Sequence, residues 1–209
     1  MEDNYYYELM NDINLSFIDW IPKDFIGFFN GNDYTIRNLT ILWNQDPLST
    51  TSVGIFGRLF GGKIMNLNIV DATITIDSTN AIRAGLLAGW VESTQLIHVK
   101  ATGTILITST STNNSYVGGI AGRFRGSSLI DSSFDGELKG MYSNGSLGGL
   151  IGDWRFNPFA VSIIKYNHTK GTIYATAFLR VNPFASGSTL PFVDETNTTE
   201  IDIQFNTSP

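Results

Sequence analysis

A short glycine-bounded apolar motif recurs four times along this chain at a nearly fixed interval. It reads Gly54-Ile55-Phe56-Gly57, Gly85-Leu86-Leu87-Ala88-Gly89, Gly118-Gly119-Ile120-Ala121-Gly122 and Gly148-Gly149-Leu150-Ile151-Gly152. The closing glycines step by 32, 33 and 30 residues. A period in this range means one structural unit stacked on copies of itself, because such a unit cannot bury its apolar face alone. The spacing therefore constrains architecture far more than activity.

Between the motifs lie segments in which apolar residues alternate with polar ones, bounded by Gly, Asn, Asp and Ser. Residues 63–76, 96–107, 129–138 and 163–173 are the four instances. Period-two alternation with such boundaries is the signature of strands. The connections between them are too short for helices, so each unit is about three short strands and the predicted fold is a β-solenoid. Coils in register place like residues in inward columns. One predicted column is Ile55, Leu87, Ile120 and Leu150; a second is Ile74, Ile105, Leu138 and Ile173. A less regular unit precedes these, from Trp20 to Ile41, with a turn at Asn30-Gly31-Asn32-Asp33. Counting it gives about five coils, a stack roughly 24 Å tall at about 4.8 Å per coil.

The first unit, Phe29-Asn30-Gly31-Asn32-Asp33-Tyr34-Thr35-Ile36-Arg37-Asn38-Leu39-Thr40-Ile41, resembles the opening of GLUG-motif repeat proteins. Val53-Gly54-Ile55-Phe56-Gly57 followed by Gly62-Lys63-Ile64-Met65-Asn66-Leu67-Asn68-Ile69 is similar to that family's next element, and Val117-Gly118-Gly119-Ile120-Ala121-Gly122 to the GLUG repeat proper. The resemblance covers roughly residues 7–176. It implies an all-β, right-handed parallel β-helix of the kind found in bacterial surface adhesins and in the N-terminal region of some IgA-cleaving metallopeptidases. Asp33 stands where the family has Gly, and Gly85 lacks a second glycine beside it.

A solenoid has to cover its terminal edges. Residues 1–19 are expected to cap the N-terminal end, with a short amphipathic helix over residues 6–13. Residues 20–176 form the repeats. Residues 177–209 leave the repeat, broken at Asn182-Pro183 and Leu190-Pro191, and hold one late strand candidate at residues 200–205. They form an irregular C-terminal cap, or an assembly arm for self-association.

Composition excludes several functions. The formal net charge is −6 and the longest basic cluster is Arg123-Phe124-Arg125, which argues against nucleic acid as a partner. There is no cysteine, so disulfides and thiolate metal sites are absent. No apolar run reaches the length of a membrane span. The N-terminus, Met1-Glu2-Asp3-Asn4-Tyr5, lacks the basic and apolar regions of a signal peptide. Seven Asn-x-Ser/Thr sequons, at Asn14, Asn38, Asn113, Asn144, Asn167, Asn197 and Asn206, are read as chance in a chain rich in these residues.

Candidate chemistry is sparse. The carboxylate pairs Asp131 with Asp135 and Asp71 with Asp77 could serve glycoside cleavage only if they faced each other at a defined separation; Asp131 instead aligns near His98 and Lys165. His98 and His168 have no metal-ligand spacing. The glycine motifs lie between strands, which is the wrong context for phosphate. Thr73 with Thr75 begins a possible ice-ordering ladder, but the aligned pairs Thr104/Leu106, Glu137/Lys139 and Thr172/Tyr174 do not continue it.

What remains is recognition. Trp90, Arg123 and, one place further on, Trp154 follow the closing glycines and form a candidate binding stripe of the residue types that interfaces enrich. The turns at residues 77–84, 108–116 and 140–146 leave one corner of successive coils, where repeat proteins carry binding loops. The sequence thus predicts a non-enzymatic adhesive or structural β-helix on a cell or particle surface, meeting protein or glycan partners, with no cofactor and no metal. The alternatives are an assembly subunit of a virion or filament and a carbohydrate-active β-helix enzyme.

Overall fold

The computed structural model describes residues 5–43, 52–155, 157, 163–176, 179–187 and 198–206, and their regular structure is entirely β. One coil shows the path. The strand Ser115–Gly118 lies in a five-stranded sheet and leads through the glycine motif to Ala121–Arg125. The chain turns at Gly126 into Ser128–Ile130, turns again at Asp131 into Ser133–Tyr142, and starts the next coil at Gly145–Gly148. Each segment pairs in parallel with its equivalents above and below. This is the expected β-solenoid of about five coils.

Strand register reproduces the inward columns read from the sequence. Ile41, Ile74, Ile105, Leu138, Ile173 and Ile203 are consecutive partners. Phe56, Ala88, Ala121 and Ile151 are also partners, which sets Ile55, Leu87, Ile120 and Leu150 in line just before them. Nearly all of these side chains are inaccessible and belong to one continuous core running through the stack. Several inward polar residues at corners have hydrogen-bond partners. Ser127 Oγ accepts from Thr94 N and donates to Arg125 O, and Asn167 links Ser132 to Leu129.

One corner is a ladder of left-handed residues: Asn66, His98, Asp131 and Tyr166, with φ of 53°, 54°, 48° and 57°. Asn and Asp tolerate this region, because their short polar side chains bond locally. Here the imidazole of His98 bridges its neighbours, with Nδ1 at 3.1 Å from Asn66 Oδ1 and Nε2 at 2.9 Å from Asp131 Oδ2. Asp131 is thus a corner residue engaged by His98, and Asp135 lies on the strand that follows. The corner neighbour on the other side is Tyr166; Lys165 pairs with Ile130.

The N-terminal end differs from expectation. Tyr5–Glu8 is a strand paired in parallel with residues 27–30, and Ile13–Asn14 pairs with residues 36–37, so no helix forms over residues 6–13. Tyr7 packs edge-on to Phe25 with ring centroids 5.8 Å apart, and Leu9 and Leu15 enter the core. A helix would have left the backbone edge of residues 27–30 unpaired, and a strand satisfies it. At the other end the late strand is found at Thr198–Asn206, in register with His168–Thr176. Arg180–Asn182 and Ala185–Gly187 also extend the stack. The break at Leu190-Pro191 and the sequon at Asn197 lie outside the described residues.

The long turns read from the sequence do share a corner, as Ser78 pairs with Ser109 and Ser109 with Tyr142. The strands run further than expected, however, so the loops shrink to residues 79–82, 110–114 and 143–144.

Candidate binding site

The residue after each closing glycine faces outward, because the glycine and the residue two places after it face the core. These outward residues are Arg58, Trp90, Arg123 and Asp153, and strand register makes them direct neighbours. Trp90 and Arg123 are therefore adjacent and half-buried at the surface, as the sequence suggested. Trp154 is not with them. It pairs with Phe124, which pairs with Val91, in the inward column, and only 2% of it is exposed. The sequence places Trp154 one position later than Trp90, and in a strand one position reverses the face. Asp153 takes the outward place, so Trp154 is corrected from a surface residue to a core residue.

Trp90 is the centre of a cluster. The guanidinium carbon of Arg123 lies 5.0 Å from its ring centroid and that of Arg83 lies 5.2 Å away. Both distances are within cation–π range. The Phe60 ring is 6.0 Å from Trp90, and Arg58 lies 5.3 Å over Phe60. Arg83 arrives from the five-stranded sheet, so it shares the site only because the coil closes.

Carboxylates hold part of this cluster. Arg58 donates to Asp24 at 2.8 Å, which raises the guanidinium pKa above its ordinary value. Asp153 is 3% exposed and accepts from Arg155 Nε at 2.8 Å, with Arg123 Nε at 3.7 Å. That hydrogen bond raises the Arg155 pKa. Arg155 also reaches the Tyr116 hydroxyl at 3.4 Å, and Arg125 pairs with Glu92 at 3.2 Å. Burial, and then the like charge of Arg123, lower the Arg83 pKa.

Asp153 should matter to stability as a buried anion. Asp153→Ala leaves the Arg155 donor without its acceptor, and a cost of about 1.5–3 kcal/mol is expected for a charged hydrogen bond. Arg58→Ala breaks a pair in which both side chains are nearly half exposed, so its cost should stay below about 1 kcal/mol. Urea unfolding of the two variants checks the contrast, and equal effects would contradict it.

Sequence reasoning missed Arg58, Phe60, Arg83, Tyr116, Asp153 and Arg155. Arg58 and Asp153 carried a usable signal, since each follows a closing glycine directly. Arg83 and Tyr116 carried none.

Two shallow surface cavities lie elsewhere. One of about 370 Å³ is lined by residues including Lys139, Met141, Tyr174, Thr176 and Gln204, with Lys139 5.0 Å over the Tyr174 ring and paired to Glu137. The other, of about 570 Å³, lies beside Phe17, Ile18 and Leu42 near the first coil. Neither contains the Trp90 cluster.

No family model matches the chain. Over 151 residues, covering 68% of this chain, it is 30% identical to Halomucin from Haloquadratum walsbyi (strain DSM 16790 / HBSQ001). The chain spans 2% of that protein's length. Among solved structures it is similar to a protein described as a "putative immunoglobulin A1 protease" from Bacteroides ovatus. That match covers 97% of this chain and 78% of the other, with 14% sequence identity and a TM-score of 0.44. Similarity at that level says nothing about the activity of this chain. Among the described residues, no helix is long and apolar enough to cross a membrane.

Proposed function

We propose that this chain is a non-enzymatic β-solenoid recognition module at a cell or particle surface, and that it meets a protein or glycan partner through the face around Trp90 and Arg123. The observation that carries the reading is the outward run Arg58–Trp90–Arg123, flanked by Phe60 and Arg83. The outward column Thr73, Thr104, Glu137 and Thr172 is by contrast small and polar, and the column Leu42, Thr75, Leu106, Lys139 and Tyr174 pairs a single ring with a single cation. A cluster of aromatic and arginine side chains is the composition of an interface centre. The match to Halomucin, whose name describes a mucin, fits a module that works outside the cell.

The enzyme alternative draws less support. Asp131 is tied to His98, and Asp153 lies among arginines, so neither is arranged as a paired acid and nucleophile. The assembly alternative is weakened because the described parts of residues 177–209 extend the chain's own stack, as a cap would.

The test is Trp90→Ala, assayed for retention on intact cells or on protein and glycan arrays. Loss of the ring should weaken binding at least tenfold, while the thermal midpoint falls by no more than a few degrees because Trp90 is only half-buried. Binding unchanged by Trp90→Ala would place recognition on another face.

A further inference from the structure

Hydrogen-bond polarity along the left-handed corner is set from one end. In the first coil Asn32 N–H donates to Asn30 Oδ1 at 3.1 Å, and Asn32 Nδ2 donates to Leu9 O at 2.9 Å. A backbone N–H can only donate and a backbone carbonyl can only accept, so both carboxamides have one orientation. Asn66 Nδ2 then donates to Asn30 Oδ1 at 3.1 Å. The atom that Asn66 turns toward the next coil is therefore its oxygen, 3.1 Å from His98 Nδ1. On the far side, His98 Nε2 lies 2.9 Å from Asp131 Oδ2. Strand register puts these residues at one corner of four successive coils.

Both ring nitrogens of His98 thus face acceptors. A neutral imidazole carries one ring proton and satisfies one of them, whereas the imidazolium donates to both. We infer that this corner is a proton-operated clasp: the imidazolium of His98 ties Asn66 to Asp131, and loss of one ring proton to solvent releases the Asn66 side. The remaining proton stays on Nε2, because a hydrogen bond to a carboxylate is about twice as strong as one to a neutral amide. Nδ1 then turns a lone pair toward the Asn66 oxygen. Asn66 cannot flip to meet it without giving up its bond to Asn30. The released contact is the one between the coils of Asn66 and His98, so the joint between them follows the acidity of the surroundings. The clasp lies on a different corner from Trp90 and does not depend on the recognition reading.

Other charged groups on the elements around the ring are Asp33 at the same corner of the first coil, Lys63 on the strand of Asn66, and Lys100 on the strand of His98. Asp135 follows Asp131, and Lys165 lies over the Tyr166 ring. Among the described residues, Asp131 is the one that forms an ion pair with His98. The side chains of His98 and Asp131 are 50% and 60% exposed, so solvent can take up and return the proton. A pair this exposed contributes little to global stability, and the effect is to be read locally.

The test is NMR of the nitrogen-15-labelled chain at about pH 5 and about pH 8, the interval over which histidine ordinarily changes charge. At the lower pH both His98 ring nitrogens should carry protons; at the higher pH only Nε2 should. The side-chain amide signal of Asn66 should move between the two with the same midpoint as the ring. Two variants extend the test at positions where Asn tolerates the left-handed backbone. His98→Asn keeps the turn and removes the proton, so the Asn66 signal should stay fixed across the interval. Asp131→Asn supplies an amide that can donate to Nε2. The neutral ring should then carry its proton on Nδ1 and keep its bond to Asn66 at about pH 8.

An Asn66 signal that ignores the titration of the native ring would overturn the clasp. So would a native neutral ring protonated on Nδ1, or a native ring with a single proton at about pH 5. A neutral ring that stays protonated on Nε2 in Asp131→Asn would show that the Asp131 carboxylate does not choose the released side, and would overturn it too.

Discussion

Gly122→Val is expected to cost more than about 4 kcal/mol and to lower the thermal midpoint by at least 10 °C, as far as the variant folds at all. A Cβ at this position would lie 2.5 Å from Ala84 N, 2.7 Å from Tyr116 O and 2.8 Å from Gly89 O. All three are backbone atoms, from the coil before and from the facing strand of the same coil. They belong to paired segments, so they cannot withdraw without breaking parallel ladders on both sides. The cost therefore comes from the closeness of the coils. Gly61→Ala is the control. Its Cβ would meet nothing within 4 Å, and the only strain is a φ of +70°. That change should cost no more than about 1–2 kcal/mol. Guanidinium unfolding of the two variants compares them directly. A mild Gly122→Val would mean that the coils are not packed through their glycines.

Trp154→Ala should destabilise by about 3–5 kcal/mol, the range for removing a large buried aromatic. The side chain is 2% exposed, stacks in line with Phe124 and Val91, and fills the core of the fourth glycine-motif coil. Its indole N–H finds no acceptor among the described residues. Trp154→Phe therefore loses volume but no hydrogen bond, and should cost less than about 2 kcal/mol. Ligand binding per folded molecule should be unchanged in both variants, in contrast to Trp90→Ala. The pair of experiments separates two tryptophans that the sequence put into one stripe. Weakened binding by folded Trp154→Phe would restore Trp154 to the surface role first expected for it.

The difference between these tryptophans marks where sequence reading stops. Gly89-Trp90 and Gly152-Asp153-Trp154 look alike as motifs, and both tryptophans follow a glycine closely. In a strand, one intervening residue sends the second ring into the core. The same parity argument, applied strictly to the position after each closing glycine, yields Arg58, Trp90, Arg123 and Asp153 with no structure at all. Arg83 and Tyr116 are a different matter. They are 7 and 26 residues from Trp90, in another sheet, and reach the cluster only because each coil closes on itself.

The N-terminal segment shows a second limit. Residues 6–13 have the apolar spacing of a short helix, yet Tyr5–Glu8 is a strand. The open backbone edge of residues 27–30 offers four ladder partners, and local pattern is a weak force beside that. The same competition acts at the other end, where Thr198–Asn206 joins His168–Thr176.

By itself, the sequence determined the repeat and the inward columns, because a stacked coil imposes the same demand at the same position every 30 to 33 residues. Periodicity makes such demands visible in one dimension. The tertiary structure alone decided which residues meet across a closed coil. Trp90 acquires Arg83 from the other sheet, and Arg155 reaches Tyr116. Those encounters depend on register and closure, which act between positions that no local pattern connects.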